Sequence, residues 1–490
     1  MPAQNLLIIM SDEHDPRYMG VSGDDLVKTP NLDRLARGGV RFTEAYTPSP
    51  ICVPARAAFA TGAHVHDIGY WDNAIGYDGR VKGWGHVLQH HGVCVESIGK
   101  LHYQNDAAPA GFDVEHIPMN LYNGHGMVWG SIRDPLPHHK PHEGRMLGPR
   151  IGAGESSYTK YDGSVTDMTV DWLADAAKRP EEPWCLYVGL VAPHFPLVVP
   201  DEFLALYPLD KLPPRKLDPR DGYIRHPWAQ RQHEFFPNDD QFEDDAERQL
   251  AIACYLGLVS WMDHNVGRML QQLEAVGLAD DTRVIYTSDH GDNVGNRGLW
   301  GKSNFYLESA AVPMLMSGPG ITPSTCHTPV SLVDIQPTIL EHFELSADAA
   351  PLGNDIARPG RSLLQVAAEP DDTGRAVLSQ YHAAGSPSAG FMLRSGAYKY
   401  HHYVGYAPEL FHLESDPDEL NDLAQDPAYA QVLAEMEKSL REILDPDAVD
   451  RRAKDDQNAL ISHHGGIEAA KYVGAPAATP VPGDGGKFGT

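Results

Sequence analysis

The chain has 490 residues, 42% of them hydrophobic, which is ample for a large core and too long for one small domain. Acidic residues outnumber basic ones by 67 to 39, for a net charge of −28, and such a surface repels nucleic acid and acidic lipid heads. No run of about 18 apolar residues appears, so no membrane-spanning helix and no membrane partner are expected.

In chain order, residues 6–10 read as a buried parallel strand running into Ser11-Asp12-Glu13. No basic segment precedes that strand, so a cytoplasmic protein is expected. Residues 31–38 and 84–91 read as short helices, the second stopping at Gly92. Residues 93–98 read as a strand ending at Gly99-Lys100, and 165–178 as an amphipathic helix. Residues 184–191 read as another buried strand, ending at Ala192-Pro193-His194. In 244–276, Leu250, Ala253, Leu256, Val259, Val266, Met269 and Leu273 recur at helical spacing, and Gly277 suits the stop. A strand at 283–287 ends at Ser288-Asp289-His290; a strand at 312–316 and a helix at 333–343 follow.

This alternation predicts an α/β fold with a large, mostly parallel sheet between helices over residues 1–370. Beyond it, short strands at 376–380, 390–394 and 398–404 and a helix at 428–444 predict a small antiparallel sheet with a packed helix over 371–445. Residues 446–490 form a polar tail, charged and compatible with a helix over 446–471 and Gly/Pro-rich from 474, expected to lie disordered or on a neighbouring subunit. Five cysteines stand singly, which fits a reducing compartment and argues against a disulfide framework.

In open α/β sheets, function collects at the carboxyl ends of strands. Four predicted strand ends here carry Asp12, Lys100, His194 and Asp289-His290. Asp12, Glu13, Asp289 and His290 together suit one hard divalent cation, although carboxylates at strand ends also commonly cap neighbouring helices. Cys52 stands four residues before Arg56, with Pro54 between them. Read alone, that is a buried cysteine opening a core helix, with the proline in its first turn.

The segment Cys52-Val-Pro54-Ala-Arg56, followed by Thr61-Gly62, resembles the signature of formylglycine-dependent sulfatases of the alkaline phosphatase superfamily. Val53 and Ala55 depart from the commoner residues, but Cys, Pro and Arg stand in place. Asp289-His290 resembles the choline sulfatase and phosphonate monoester hydrolase branch, whereas Glu13 departs from the usual first pair. Gly99-Lys100-Leu-His102, Pro193-His194-Phe-Pro196 and Gly298-Leu-Trp-Gly-Lys302 resemble further family segments in the same order, and Asn73 resembles a pocket asparagine of that branch.

The resemblance implies an alkaline phosphatase-like fold and hydrolysis of a sulfate ester, aryl or small alkyl. It implies formylglycine at Cys52, made by a formylglycine-generating enzyme. It implies one divalent metal on Asp12, Glu13, residue 52, Asp289 and His290, calcium first, with manganese or magnesium as alternatives. Arg56, Lys100, His102, His194 and Lys302 would be catalytic, Asn73 would bind substrate, and the tail implies a homo-oligomer. Two alternatives stand beside this: a phosphonate monoester or phosphodiester hydrolase on the same site, and a binding protein without catalysis. A choline headgroup would need an aromatic or acidic cradle, for which Trp71, Trp129, Tyr103 and Trp300 are candidates. His138, His139 and His142, and His463-His464, could bind zinc but read better as surface positions.

Overall fold

Leu6, Ile8 and Met10 point to one face of the first strand and Leu7 and Ile9 to the other, and all five are buried. A strand apolar on both faces belongs in the middle of a covered sheet, and that is where it lies. The main sheet has eight strands: β1 (Asn5–Asp12), β2 (Gly39–Phe42), β3 (Cys94–Lys100), β4 (Val114–Met119), β5 (Trp184–Pro193), β6 (Thr282–Ser288), β7 (Met314–Ser317) and β8 (Ser324–Cys326). Their spatial order is β8-β2-β7-β6-β1-β5-β3-β4. Every neighbouring pair is parallel except β2–β7 and β7–β6, so the sheet is mostly parallel, as expected. The structure, a computed structural model, describes residues 4–138, 145–148, 150–346, 355–474 and 479–484.

The helices that matter for the site are α1 (Cys52–Thr61), α2 (Ser157–Ala176) and α3 (Asp245–Ala275). α2 starts eight residues earlier than its apolar periodicity suggests. Ser156 caps it through its side chain and Thr159 reciprocates, a signal that precedes the apolar stripe. From α2, the Asp162 carboxylate accepts from the backbone N–H groups of Val191 and Ala192, each at 2.8 Å. That pins the end of β5 just before His194. β5 runs so close to β3 that a Cβ on Gly189 would stand 2.0 Å from the Lys100 carbonyl oxygen, so only glycine fits there.

The smaller sheet is antiparallel, β9 (Val377–Tyr381), β10 (Gly390–Ser395), β11 (Tyr398–Tyr403) and β12 (Glu409–His412), with α4 (Ala430–Ile443) against it. Its Leu378, Phe391, Leu393, Tyr400 and Leu410 share one apolar cluster with Leu6 and Ile8 of β1.

The charged part of the tail is helical, as its sequence allowed, and it packs on its own chain. Residues 446–463 form α5 (Pro446–His463), capped by Asp445 and docked on its own chain through Val449, Ala453, Gln457 and Ile461. Arg133 bonds both Asp450 and Gln457, and Gln457 also donates to Asp72, so the helix is held by a buried polar network in addition to apolar contact. Thr479 is buried too, against the site described below. The segment that composition assigned to disorder or to a neighbouring subunit thus has partners within its own chain. Among the described residues no helix is long and apolar enough to cross a membrane, and all five cysteines are free.

Candidate active site

α1 begins at Cys52, directly after extended Ile51, and all ten of its residues are buried. The helix opens toward the carboxyl ends of β1 and β6. Cys52 Sγ lies 3.3 Å from His290 Nε2, 3.7 Å from Asp12 Oδ1 and 3.2 Å from Lys302 Nζ. One turn along, the Arg56 guanidinium ties the two strand ends together. Its Nε donates to Asp289 Oδ2 at 2.8 Å and its Nη2 to Asp12 Oδ2 at 3.0 Å. Its Nη1 reaches the Lys100 carbonyl at 3.0 Å and the Tyr187 hydroxyl at 2.9 Å. Lys100 Nζ stands 2.6 Å from Asp12 Oδ2, and Lys302 Nζ stands 3.1 Å from Glu13 Oε1.

Two site residues hold backbone conformations that side chains rarely adopt: Glu13 at φ 71° and His102 at φ 59°. Each is held by a bond across the site. The Tyr255 hydroxyl donates to the Glu13 carbonyl at 2.7 Å, and the His102 N–H donates to the Met119 carbonyl at 2.8 Å. Strand ends carrying chemistry cannot simply continue as strand, and the left-handed residue turns each side chain into the cleft.

Burial raises the Asp12 pKa, but Lys100, Lys302, His194 and Arg56 outweigh it and hold the carboxyl well below its usual range. Glu13 is pushed up to about 8, chiefly by burial, with Lys302 opposing and Asp292 adding to the rise. Neither Glu13 oxygen has a hydrogen-bond partner. Burial and the Asp12 charge push the Cys52 thiol up to about 11, so it is no ready thiolate nucleophile at neutral pH. Burial and Lys302 hold His194 well below its ordinary value; burial opposes the Lys302 charge, yet the acidic groups around it, ionised Asp12 among them, raise its pKa well above the ordinary lysine value.

A divalent ion fits this donor set. One potential ligand atom from each of Asp12, Cys52, Asp289 and His290 lies within 4.8 Å of the others, and the same holds for Asp12, Glu13 and His194. The Glu13 carboxyl, fully buried and without a hydrogen bond although Lys302 stands 3.1 Å away, is the kind of group that a cation satisfies.

The family model described as Sulfatase matches residues 4–345, and one described as N-sulphoglucosamine sulphohydrolase, C-terminal, matches 295–445. A choline-sulfatase of Rhizobium meliloti is 32% identical, over 86% of this chain and 83% of its own. The chain belongs to the sulfatase family. Human arylsulfatase K is 30% identical over 86% of this sulfatase and 79% of its own length. The fold matches that of a phosphonate monoester hydrolase of Agrobacterium radiobacter at TM-score 0.71 and 22% identity, over 90% of this chain and 95% of that one. Its membership makes this sulfatase a sulfuric ester hydrolase on an alkaline phosphatase-like scaffold.

The residues singled out in the sequence, namely Asp12, Glu13, Cys52, Arg56, Lys100, His102, His194, Asp289, His290 and Lys302, converge on this cleft together with Asn73. Asn73 Oδ1 accepts from the Val53 N–H at 3.0 Å, steadying the first turn of α1. The pocket above Cys52 also takes in Leu121, Met127, Phe195, Phe236, Leu299 and Trp300. Leu121, Met127 and Phe236 come from loops without a motif, and sequence reasoning missed them, whereas Phe195, Leu299 and Trp300 stand inside the quoted segments. Of the four aromatic residues considered for a cationic headgroup, only Trp300 lines the pocket; Trp71, Trp129 and Tyr103 are buried elsewhere. Thr479 is a further lining residue that no sequence signal marked. His138 is exposed, while His139 and His142 lie outside the described residues. Among the described residues neither His138 nor the His463-His464 pair joins a metal-holding group.

Proposed function

We propose that this sulfatase hydrolyses sulfate esters of small apolar or aromatic alcohols, using a formylglycine made from Cys52 and one divalent metal ion. The observation that carries the reading is the setting of Cys52 Sγ, 3.3 Å from His290 and 3.2 Å from Lys302 above the Asp12 carboxylate. Asp12, Glu13, Asp289 and His290 would hold the ion, calcium in the first place given the oxygen-rich donors, with manganese or magnesium as alternatives. When bound, the ion draws charge from the sulfate oxygens and lowers the pKa of a hydroxyl beside it. The aldehyde supplies what serine or cysteine lacks: a hydrate with two hydroxyls on one carbon, one to attack sulfur and one to drive release.

The chain's own residues do the rest. Arg56, Lys100 and Lys302 bring three positive charges to a buried cleft, where they stabilise negative charge gathering on the sulfate oxygens. His194 gives the departing alcohol oxygen its proton. Burial and then the Lys302 charge hold this imidazole well below its ordinary pKa, and the negative charge of a bound sulfate ester would offset Lys302 and favour the protonated ring. His102, neutral through burial and the Lys100 charge, takes the proton that frees sulfate. The outer pocket presents Trp300, Phe195 and Phe236, ring faces that an aryl group can stack against.

Two measurements test this. The peptide containing residue 52, from a host able to convert it, should show the mass of a CH2SH group replaced by CHO. Paired aryl sulfate and aryl phosphonate substrates should give the higher kcat/KM for the sulfate. An unmodified thiol in active enzyme removes the aldehyde, and a preference for phosphonate moves the substrate. Asp289→Asn should lower the metal retained after dialysis by at least about 10-fold, since one anionic ligand is lost. Metal content equal to wild type would take Asp289 out of the ligand set.

A further inference from the structure

Beyond residue 470 the chain returns to the cleft. Gly474, at φ +99°, passes so close to Gly126 that a Cβ would stand 1.6 Å from the Gly126 carbonyl oxygen, beside pocket-lining Met127. Five residues on, Thr479 is 5% exposed and faces the same pocket. Its Oγ1 lies 2.7 Å from His102 Nε2, and its carbonyl accepts from the Tyr158 hydroxyl at 2.6 Å. Tyr158 in turn meets the His194 ring edge-on at 5.8 Å. Val481 packs against the apolar cluster that holds Met146 and Phe195, so the segment is anchored on both sides of Thr479.

The other His102 nitrogen, Nδ1, is buried with no partner. A neutral imidazole carries one N–H and one lone pair, and the partner on one nitrogen decides what the other presents. An Nε2–H donated to Thr479 Oγ1 leaves the Nδ1 lone pair free to accept a proton. We propose that Thr479 is a positioning residue: its hydroxyl, delivered by the same chain's C-terminal segment, holds the His102 ring in the rotamer that turnover needs and, by accepting from Nε2–H, leaves Nδ1 as the base. The proposal rests on the reading of His102 as the base.

The test uses full-length enzyme with the aldehyde content of residue 52 measured in every variant. Thr479→Val keeps the shape and removes the hydroxyl; it should lower kcat on a small aryl sulfate by roughly 10-fold with KM changed less than about twofold. Thr479→Ser restores the hydroxyl and should recover kcat to within about twofold of wild type. A chain ended at Gly474, checked for a native melt, should show at least the loss seen with valine. Wild-type kcat in Thr479→Val at equal aldehyde content overturns the proposal, as does a serine variant as slow as the valine one. His102→Ala separates this from the parent reading. A slow His102→Ala enzyme beside an unaffected Thr479→Val enzyme sinks only the threonine, whereas a His102→Ala enzyme at wild-type rate removes the base itself.

Discussion

Cys52→Ala should turn over an aryl sulfate at least about 10⁴-fold more slowly than wild type, a loss of about 5 kcal/mol of transition-state stabilisation. The fold should persist, because the change deletes one buried sulfur atom and costs roughly 1 kcal/mol in packing. Circular dichroism and a denaturant melt check the second half of that statement, and steady-state kinetics the first. The two halves must be read together. A slow, folded variant places the chemistry at residue 52; a slow, unfolded one assigns Cys52 to packing; a fast one ends the formylglycine reading. The surroundings favour the first outcome, since burial and Asp12 push the thiol up to about 11 and so deny it a role as thiolate. The placing of Cys52 at the meeting point of two carboxylates, a lysine and a histidine is the observation on which the proposed conversion rests.

The second large effect is expected at Arg56. Its guanidinium is 1% exposed and makes charge-assisted bonds to Asp12 and Asp289, both fully buried. Arg56→Ala leaves those carboxylates with Lys100 as the nearest remaining cation, 2.6 Å from Asp12 but without an ion-pair contact to Asp289. Breaking a buried pair from one side costs about 3–5 kcal/mol, and metal-free Arg56→Ala protein should be less stable than metal-free wild type by that amount in a urea melt. Saturating divalent metal should recover part of the difference, because the ion neutralises the same oxygens. Arg56→Lys keeps the charge and loses the fork, so it should fall between the two. Equal melts for wild type and Arg56→Ala without metal would mean that the strand ends need no internal counter-charge.

Much of this arrangement was legible in the sequence because it depends on short-range pattern. Apolar runs ending in Asp12, Lys100, His194 and Asp289 mark strand ends, and a parallel sheet gathers strand ends on one edge. The Cys52–Arg56 spacing sets one helical turn between a thiol and a guanidinium, and the structure spans that turn across β1 and β6. What escaped is what no local pattern encodes. Antiparallel β7, inserted between β2 and β6, depends on partners far along the chain. The left-handed turns at Glu13 and His102 depend on bonds from Tyr255 and Met119. The outer pocket is assembled from loop residues such as Leu121, Met127 and Phe236, whose side chains would suit any interior. The docking of the tail helix on its own chain was not legible in composition for a related reason. Hydrophilic α5 is held by Asp450 and Gln457 meeting buried Arg133, a polar anchorage that hydropathy cannot register.

The complete enclosure of α1 bears on when the proposed conversion of Cys52 could take place. Every residue of that helix is buried, so a catalyst that needed the backbone of residues 52–56 in extended form would have to act before β1 and β6 close over it.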